Sequence, residues 1–269
     1  GQSQKPLSKK NLLKQTSTSH SVFNALVEKQ VFEEYYIQQD RVKTEQKDEN
    51  SNYELSESQK KALIDIKNHF QSDETVLLKG VTSSGKTQIY LSLIEEKLKN
   101  KEQILYLLPE IALTTQLIKR VQDQFGEKVL VYHSKYSNNE RVEIYKKILS
   151  ASKGQVIVGT RSSIFLPFQN LSLIIIDESH ENSYKQYDPS PRYHARDTAV
   201  VLGNLHQANV LLGSATPGLE SYHNVETGKF KLVELKERYG GVKPPVINTL
   251  DLKDSYKRKK MNGHFSQEL

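Results

Sequence analysis

The residues from 80 to 87 have the types and spacing of a phosphate-binding loop, and they fit the Walker A pattern GxxxxGK[ST] at every position. This phosphate loop consists of Gly80, Val81, Thr82, Ser83, Ser84, Gly85, Lys86 and Thr87. It follows an apolar segment and opens a helical pattern, so backbone N–H groups and a helix N-terminus can face phosphate oxygens. We expect Lys86 to reach the β- and γ-phosphates of ATP and the Thr87 hydroxyl to ligate Mg²⁺.

Two adjacent carboxylates complete the chemistry that such a loop needs. Asp177 and Glu178 directly follow the apolar run Leu173-Ile-Ile-Ile176. If that run is a buried parallel strand, both carboxylates emerge at the carboxyl edge of the sheet, where doubly wound folds bind ligands. We expect Asp177 to hold Mg²⁺ and Glu178 to orient or deprotonate an attacking water. With Lys86, they are the predicted catalytic residues.

The elements that must position these residues alternate between apolar strands and amphipathic helices. Such alternation predicts an α/β doubly wound domain with a mostly parallel sheet and helices on both faces. The predicted strands are 75–79, 103–108, 128–132, 155–159, 173–176 and 209–213, and the predicted helices are 56–70, 87–99, 111–125 and 138–152.

Composition divides the chain into four parts. Residues 1–43 hold a short helix, with Val22, Phe23, Leu26 and Val27 on its apolar face, and then a β-like run at 31–37. This order suits the second half of a winged-helix module, although any small α+β piece also has it. The other predicted parts are a polar linker at 44–54, the α/β domain at 55–235, and a basic, irregular connector at 236–269.

Charge and cysteine content limit the function classes. The formal net charge is +6 without any cysteine, which favours polyanion partners and excludes a disulfide framework or a thiolate zinc site in these residues. No apolar run approaches the roughly 20 residues that span a bilayer, so we expect a cytoplasmic protein without a membrane partner. The chain begins with Gly and has one Met, and we interpret it as a piece of a longer protein.

Several motifs resemble those of superfamily-two helicases. Asp177-Glu-Ser-His180 is a variant of the DExH box, and Gly213-Ser-Ala-Thr-Pro217 contains the Ser-Ala-Thr motif. The resemblance implies a RecA-like motor lobe, with Gln59 near adenine, and with His180 hydrogen-bonded to the segment of Ser214 and Thr216 to couple nucleotide to DNA. The stretches 108–116 and 159–165 look like motifs that grip the DNA backbone, through Thr114, Thr115, Arg161 and Ser162.

One loop narrows the resemblance. The stretches Ser183–Asp188 and Arg192–Asp197 closely resemble the aromatic-rich loop of the primosomal replication-restart helicases, the PriA family. This implies that Tyr184, Arg192 and Tyr193 contact DNA, because aromatic rings and guanidinium groups stack on unpaired bases. The alternative is that the tyrosines anchor a long loop onto the domain.

The resemblance implies the first lobe of a 3′-to-5′ DNA helicase that uses ATP and Mg²⁺. Its implied partners are single-stranded and forked DNA and the replication-restart and primosome proteins. Two departures stand out: Ser179 replaces the usual Glu, and a second lobe with its arginines and zinc insertion is absent. Two other classes remain open, namely a phosphate-loop kinase or small-molecule ATPase and a non-catalytic DNA-binding fragment.

Overall fold

The computed structural model describes residues 12, 16, 18, 20–29, 31, 55–110, 115–133, 136–150, 153–238 and 249–266. The chain divides into two compact units, Gly1–Asn52 and Tyr53–Leu269.

The first unit contains helix α1, His20–Glu28. Of the four apolar side chains predicted to share one face, Phe23 is buried, Leu26 and Val27 are half-buried, and Val22 is exposed. The predicted strand at 31–37, apart from Val31, and the predicted linker at 44–54 lie outside the described residues.

The second unit is built on a seven-stranded sheet in which every neighbouring pair is parallel. Its strand order is β3-β4-β2-β5-β6-β1-β7. The strands are β1 (Thr75–Gly80), β2 (Gln103–Leu107), β3 (Val129–Tyr132), β4 (Gln155–Gly159), β5 (Leu171–Ile176), β6 (Asn209–Ser214) and β7 (Phe230–Leu235). The six predicted strands and the α/β doubly wound fold are confirmed, and β7 is an additional strand at the sheet edge.

Helices connect these strands and cover the sheet. They are α2 (Glu57–Phe70), α3 (Lys86–Lys99), α4 (Thr115–Phe125), α5 (Asn138–Leu149), α6 (Ala195–His206) and α7 (Leu219–Glu226). Local sequence fixes where α2 and α5 begin, because Ser56 with Gln59 and Ser137 with Glu140 form reciprocal capping boxes. No helix among the described residues is long and apolar enough to cross a membrane.

The predicted connector contains some regular structure where it is described. A short helix, α8 (Leu252–Lys257), precedes an antiparallel hairpin of β8 (Met261–Asn262) and β9 (Phe265–Ser266). Residues 239–248 lie outside the described residues.

The central strands are buried on both faces of the sheet. In β1, Val76 and Leu78 pack into one apolar cluster and Leu77 packs into the other, and all three side chains are fully buried. Such a strand has no solvent-facing side along its length, so functional polar groups must gather where the strands end. The carboxyl edge of this sheet is where the candidate site lies.

Candidate functional site

The phosphate loop joins β1 to α3 and folds around its own lysine. The Lys86 ammonium is buried and donates a hydrogen bond from Nζ to the carbonyl oxygen of Gly80, at 2.9 Å. Ser83 and Gly85 have positive φ angles of 63° and 81°, which the tight curl of the loop requires. The side chains of Val81, Thr82 and Ser83 are exposed, so this face of the loop is open to a ligand.

Gln59 supports the loop from α2. Its side chain is only 2% exposed, and Nε2 donates to the carbonyl oxygen of Ser84 at 3.1 Å. Its Oε1 accepts a hydrogen bond from the backbone N–H of Ser56 at 2.9 Å. A Cβ on Gly85 would lie 2.1 Å from Nε2 of Gln59, so glycine is needed for this approach. The contact of Gln59 with adenine stays a prediction, whereas its contact with the loop is present.

The acidic turn, residues 177–180, follows β5 and faces the same edge. Oδ1 of Asp177 accepts two hydrogen bonds, one from the Tyr90 hydroxyl and one from the backbone N–H of Glu178, each at 3.0 Å. Burial raises the pKa of the Asp177 carboxyl, and the neighbouring charge of Glu178 raises it further. Glu178 itself has a positive φ of 44°, which few side-chain-bearing residues adopt. A divalent cation here would offset the repulsion between the two carboxylates.

Buried tyrosines surround Asp177, and sequence reasoning missed two of them. Tyr90, Tyr106 and Tyr184 are fully buried, and burial, followed by the charge of Asp177, raises the pKa of each phenol well above its usual value. A tyrosine within an apolar run, as Tyr106 is in Ile104–Leu107, is the one signal that could have identified such a group.

The predicted contact between the acidic turn and the Ser-Ala-Thr segment is present. Nδ1 of His180 lies 2.8 Å from Oγ of Ser214, and the backbone N–H of Thr216 donates to the same oxygen at 3.1 Å. The backbone N–H of Ser179 donates to the carbonyl oxygen of Gly213 at 2.8 Å. The turn after β5 is therefore tied to the end of β6. That this contact couples two ligands stays a prediction.

The aromatic loop, residues 181–194, corrects one predicted role. Tyr184 is fully buried, and its hydroxyl donates to the carbonyl oxygens of Asp177 and Leu107, at 2.6 and 3.1 Å. A ring in this position cannot stack on a base, so the prediction that Tyr184 contacts DNA is wrong. Tyr184 anchors the loop beneath the acidic turn, as the alternative interpretation of these tyrosines required.

The other predicted DNA-facing residues are nearer the surface. Arg161 is half-buried, and its Nη1 donates to the carbonyl oxygens of Ser183 and Lys185, at 3.3 and 3.1 Å. Tyr193 is half-exposed and packs edge-on against Phe165, with ring centroids 4.9 Å apart. Of the remaining predicted contacts, Arg192 is exposed and Ser162 is half-exposed. Thr115 starts α4, but its side chain is outside the described part of the chain, and Thr114 lies outside it entirely.

The aromatic loop also carries an exposed aromatic ring. Tyr187 lies at the loop's tip and is 65% exposed, in contrast to the fully buried Tyr184. The backbone around it is paired, since the N–H of Gln186 donates to the carbonyl oxygen of Tyr193 at 2.9 Å. The backbone pairing at the foot of the loop thus supports the segment that presents the ring of Tyr187 to solvent.

The residues at this edge fit a magnesium-bound nucleotide. The Asp177 carboxylate and the Thr87 hydroxyl are oxygen ligands, and Mg²⁺ is usually held by one or two protein carboxylates together with substrate phosphates. Within the described residues, no group of three or more His, Cys, Asp or Glu could form a protein-only metal site. The glycine-containing loop, the buried lysine and the single carboxylate match a site in which protein and nucleotide phosphates hold the ion together.

Comparisons with known proteins agree with this geometry. The family model for DEAD/DEAH box helicases matches residues 56–225, and the model for the winged helix domain of PriA helicases from Bacteroidota matches residues 1–39. The chain is 44% identical to the replication restart protein PriA of Rickettsia conorii over 78% of its length, and 38% identical to that of Bacillus subtilis over 96%. It spans 32% of each of these relatives. The predicted resemblance to the primosomal helicases is thus confirmed.

A solved structure supports the fold alone. RecG bound to a three-way DNA junction matches with a TM-score of 0.52 and 23% identity. The match covers 71% of this chain and 25% of that one.

Proposed function

Because this chain belongs to the DEAD/DEAH box helicase family, we propose that it is the ATP-binding first motor lobe of a 3′-to-5′ DNA helicase that acts in replication restart. The fold and the site geometry support the motor lobe. The names of the relatives, replication restart proteins PriA, support the assignment to replication restart.

The contacts across the carboxyl edge of the sheet carry this proposal. The helix that begins with Lys86 reaches Asp177 through Tyr90, and the acidic turn reaches the Ser-Ala-Thr segment through His180 and Ser214. A small-molecule kinase needs the phosphate loop and the carboxylate, but it has no use for a further link from the acidic turn to the end of the neighbouring strand β6. A DNA motor needs that link, because nucleotide binding must change its affinity for DNA.

Each residue then has a chemical role. The loop N–H groups and Lys86 bind the phosphates, Thr87 and Asp177 hold Mg²⁺, and Glu178 positions the attacking water. When bound, Mg-ATP supplies the phosphoanhydride bond whose hydrolysis drives translocation. The bond from Lys86 to the Gly80 carbonyl oxygen keeps the ammonium within the loop. The ammonium has three N–H donors, so two remain for the phosphate oxygens.

The DNA surface lies beside the acidic turn. We place it on the exposed residues Tyr187 and Arg192, on the half-exposed Tyr193, and on the motifs that contain Ser162 and Thr115. Arg161, which the sequence predicts to contact the DNA backbone, supports the aromatic loop through two carbonyl oxygens. The proposed partners are single-stranded and forked DNA and the replication-restart and primosome proteins, and the proposed location is the cytoplasm.

Calorimetric titration of Mg-ADP into this chain tests the nucleotide site. We expect binding by the unaltered chain and a loss of at least about 100-fold in affinity for Lys86→Ala, since the ammonium contacts the charged phosphates directly. Lys99→Ala is the matched control, because Lys99 lies on the same helix but is exposed at its last turn.

Two results would count against the proposal. Equal binding by the unaltered chain and Lys86→Ala would place the nucleotide elsewhere. ATP turnover that a small metabolite stimulates and DNA does not, in the longer protein that the relatives imply, would favour the small-molecule enzyme.

A further inference from the structure

Tyr90 is placed between the phosphate loop and the acidic turn by the geometry of α3. Lys86 begins this helix, and Tyr90 follows four residues later, so the two lie on the same face. The Tyr90 side chain is fully buried. Tyr90 therefore links the helix that begins with Lys86 to the residue that its hydroxyl contacts, Asp177.

The hydroxyl contacts one particular atom of the predicted metal ligand. It donates to Oδ1 of Asp177 at 3.0 Å, and the backbone N–H of Glu178 donates to the same oxygen at 3.0 Å. Two donors on one oxygen fix the rotation of the carboxyl group about its bond to Cβ. The other oxygen, Oδ2, is then presented in a defined direction.

The space for this hydroxyl is made by Gly213 on β6. A Cβ at Gly213 would lie 1.7 Å from Oη of Tyr90 and 3.4 Å from Oδ1 of Asp177. Gly213 directly precedes Ser214, which bonds His180 of the acidic turn. The Tyr90 hydroxyl thus lies where the phosphate helix, the acidic turn and the Ser-Ala-Thr segment meet.

Packing alone does not require a hydroxyl at this position. The Tyr90 ring already packs edge-on against Tyr106, with centroids 5.8 Å apart, and a phenylalanine ring would do the same. The chemistry of the donor is what distinguishes tyrosine here. A phenol is neutral and orients the carboxylate without cancelling its charge, whereas a lysine or arginine would compete with a metal for it.

We propose that Tyr90 is a positioning residue for the magnesium-bound nucleotide, which fixes the Asp177 carboxylate so that Oδ2 faces the cation. This role rests on the proposed function. Removing a group that orients a metal ligand typically weakens metal affinity by about 10- to 100-fold. The effect must appear in the contribution that Mg²⁺ makes to nucleotide affinity, and not in nucleotide affinity without metal.

The test compares Tyr90→Phe with the unaltered chain in calorimetric titrations of ADP, with Mg²⁺ and with EDTA. We expect the gain in affinity on adding Mg²⁺ to fall by about tenfold in Tyr90→Phe, with the affinity in EDTA unchanged. A Mn²⁺ titration of the ADP complex, followed by electron paramagnetic resonance, should show the same loss. Thermal unfolding of both chains checks that the variant is folded.

Tyr106→Phe is the matched control. Tyr106 is also fully buried, and its hydroxyl interacts with the Asp177 carboxylate, but unlike that of Tyr90 it has no partner within hydrogen-bond geometry in the described structure. We expect Tyr106→Phe to keep the full Mg²⁺-dependent gain. An equal loss in both variants would overturn the positioning role, since any missing buried hydroxyl would then suffice.

Two further outcomes separate this role from the proposed function. If the unaltered chain binds ADP with a Mg²⁺-dependent gain that Tyr90→Phe keeps, the positioning role is wrong and the nucleotide site stands. If the unaltered chain binds no ADP under either condition, the nucleotide site fails and the role of Tyr90 fails with it.

Discussion

The phosphate loop and the aromatic loop flank the same acidic turn, and they hold their polar side chains in different ways. At the phosphate loop, Lys86 and Gln59 are buried, and each bonds a carbonyl oxygen of the loop. At the aromatic loop, Tyr187 and Arg192 are exposed, and the loop is held from below by Arg161 and by its own buried Tyr184. The predicted nucleotide contacts therefore involve buried side chains, and the proposed DNA contacts lie on a supported surface.

The difference shows why tyrosines three residues apart must be read separately. Tyr184 is fully buried and bonds the backbone of Asp177, whereas Tyr187 is 65% exposed. The first side chain therefore contacts the acidic turn, and the second faces solvent. Substitutions should therefore separate stability from ligand binding within a single loop.

The largest expected effect is on folding stability, for Tyr184→Ala. Truncating a buried aromatic side chain removes its packing and leaves a cavity, at a cost of about 3–5 kcal/mol in the free energy of unfolding. Urea denaturation, followed by circular dichroism, measures that free energy. Tyr187→Ala is the control from the same loop, and we expect it to stay within about 0.5 kcal/mol of the unaltered chain. Similar losses in the two variants would abolish the distinction between anchor and tip.

The next effect is on DNA affinity, for Tyr187→Ala. If its ring stacks on an unpaired base, removing it should weaken single-stranded DNA binding by about 1–3 kcal/mol. Fluorescence anisotropy with a labelled oligonucleotide at fixed salt measures this loss. Tyr256→Ala supplies the control, because Tyr256 is 76% exposed on α8, outside the aromatic loop. Unchanged affinity for Tyr187→Ala would remove the tip of the aromatic loop from the DNA surface.

The sheet was the most predictable part of the fold. Parallel strands covered on both faces are almost wholly apolar, so β2 and β5 are visible as short hydrophobic runs. Strand β7 lacks this signature, because it lies at the edge of the sheet and exposes or half-exposes Lys231, Leu232 and Glu234. A half-polar edge strand cannot be told from a loop by hydrophobicity alone.

The site was predictable where a motif fixes both residue type and position. The contact of His180 with Ser214 is present at 2.8 Å. The orientation of the tyrosine side chains was not predictable. An aromatic residue in a polar loop looks the same in the sequence whether its ring turns outward, as in Tyr187, or inward, as in Tyr184. Nor could the bond from Tyr90 to Asp177 be predicted, since it joins residues 87 positions apart and depends on the space beside Gly213.

The smallest expected effect tests the cost of the buried charge in the nucleotide region. The pKa of Asp177 is raised, first by burial and then by Glu178, so the folded chain binds this proton more tightly than the unfolded chain does. The ionised carboxylate therefore lowers stability at neutral pH, and this loss is recovered as pH falls through the raised pKa towards the ordinary value. Asp177→Asn should thus unfold at a slightly higher temperature than the unaltered chain at pH 7 without Mg²⁺, and the difference should shrink with falling pH. Thermal scans across this pH range, with Asp251→Asn as an exposed control, measure the difference. A difference that is constant with pH would show that the charge of Asp177 costs nothing in the folded chain.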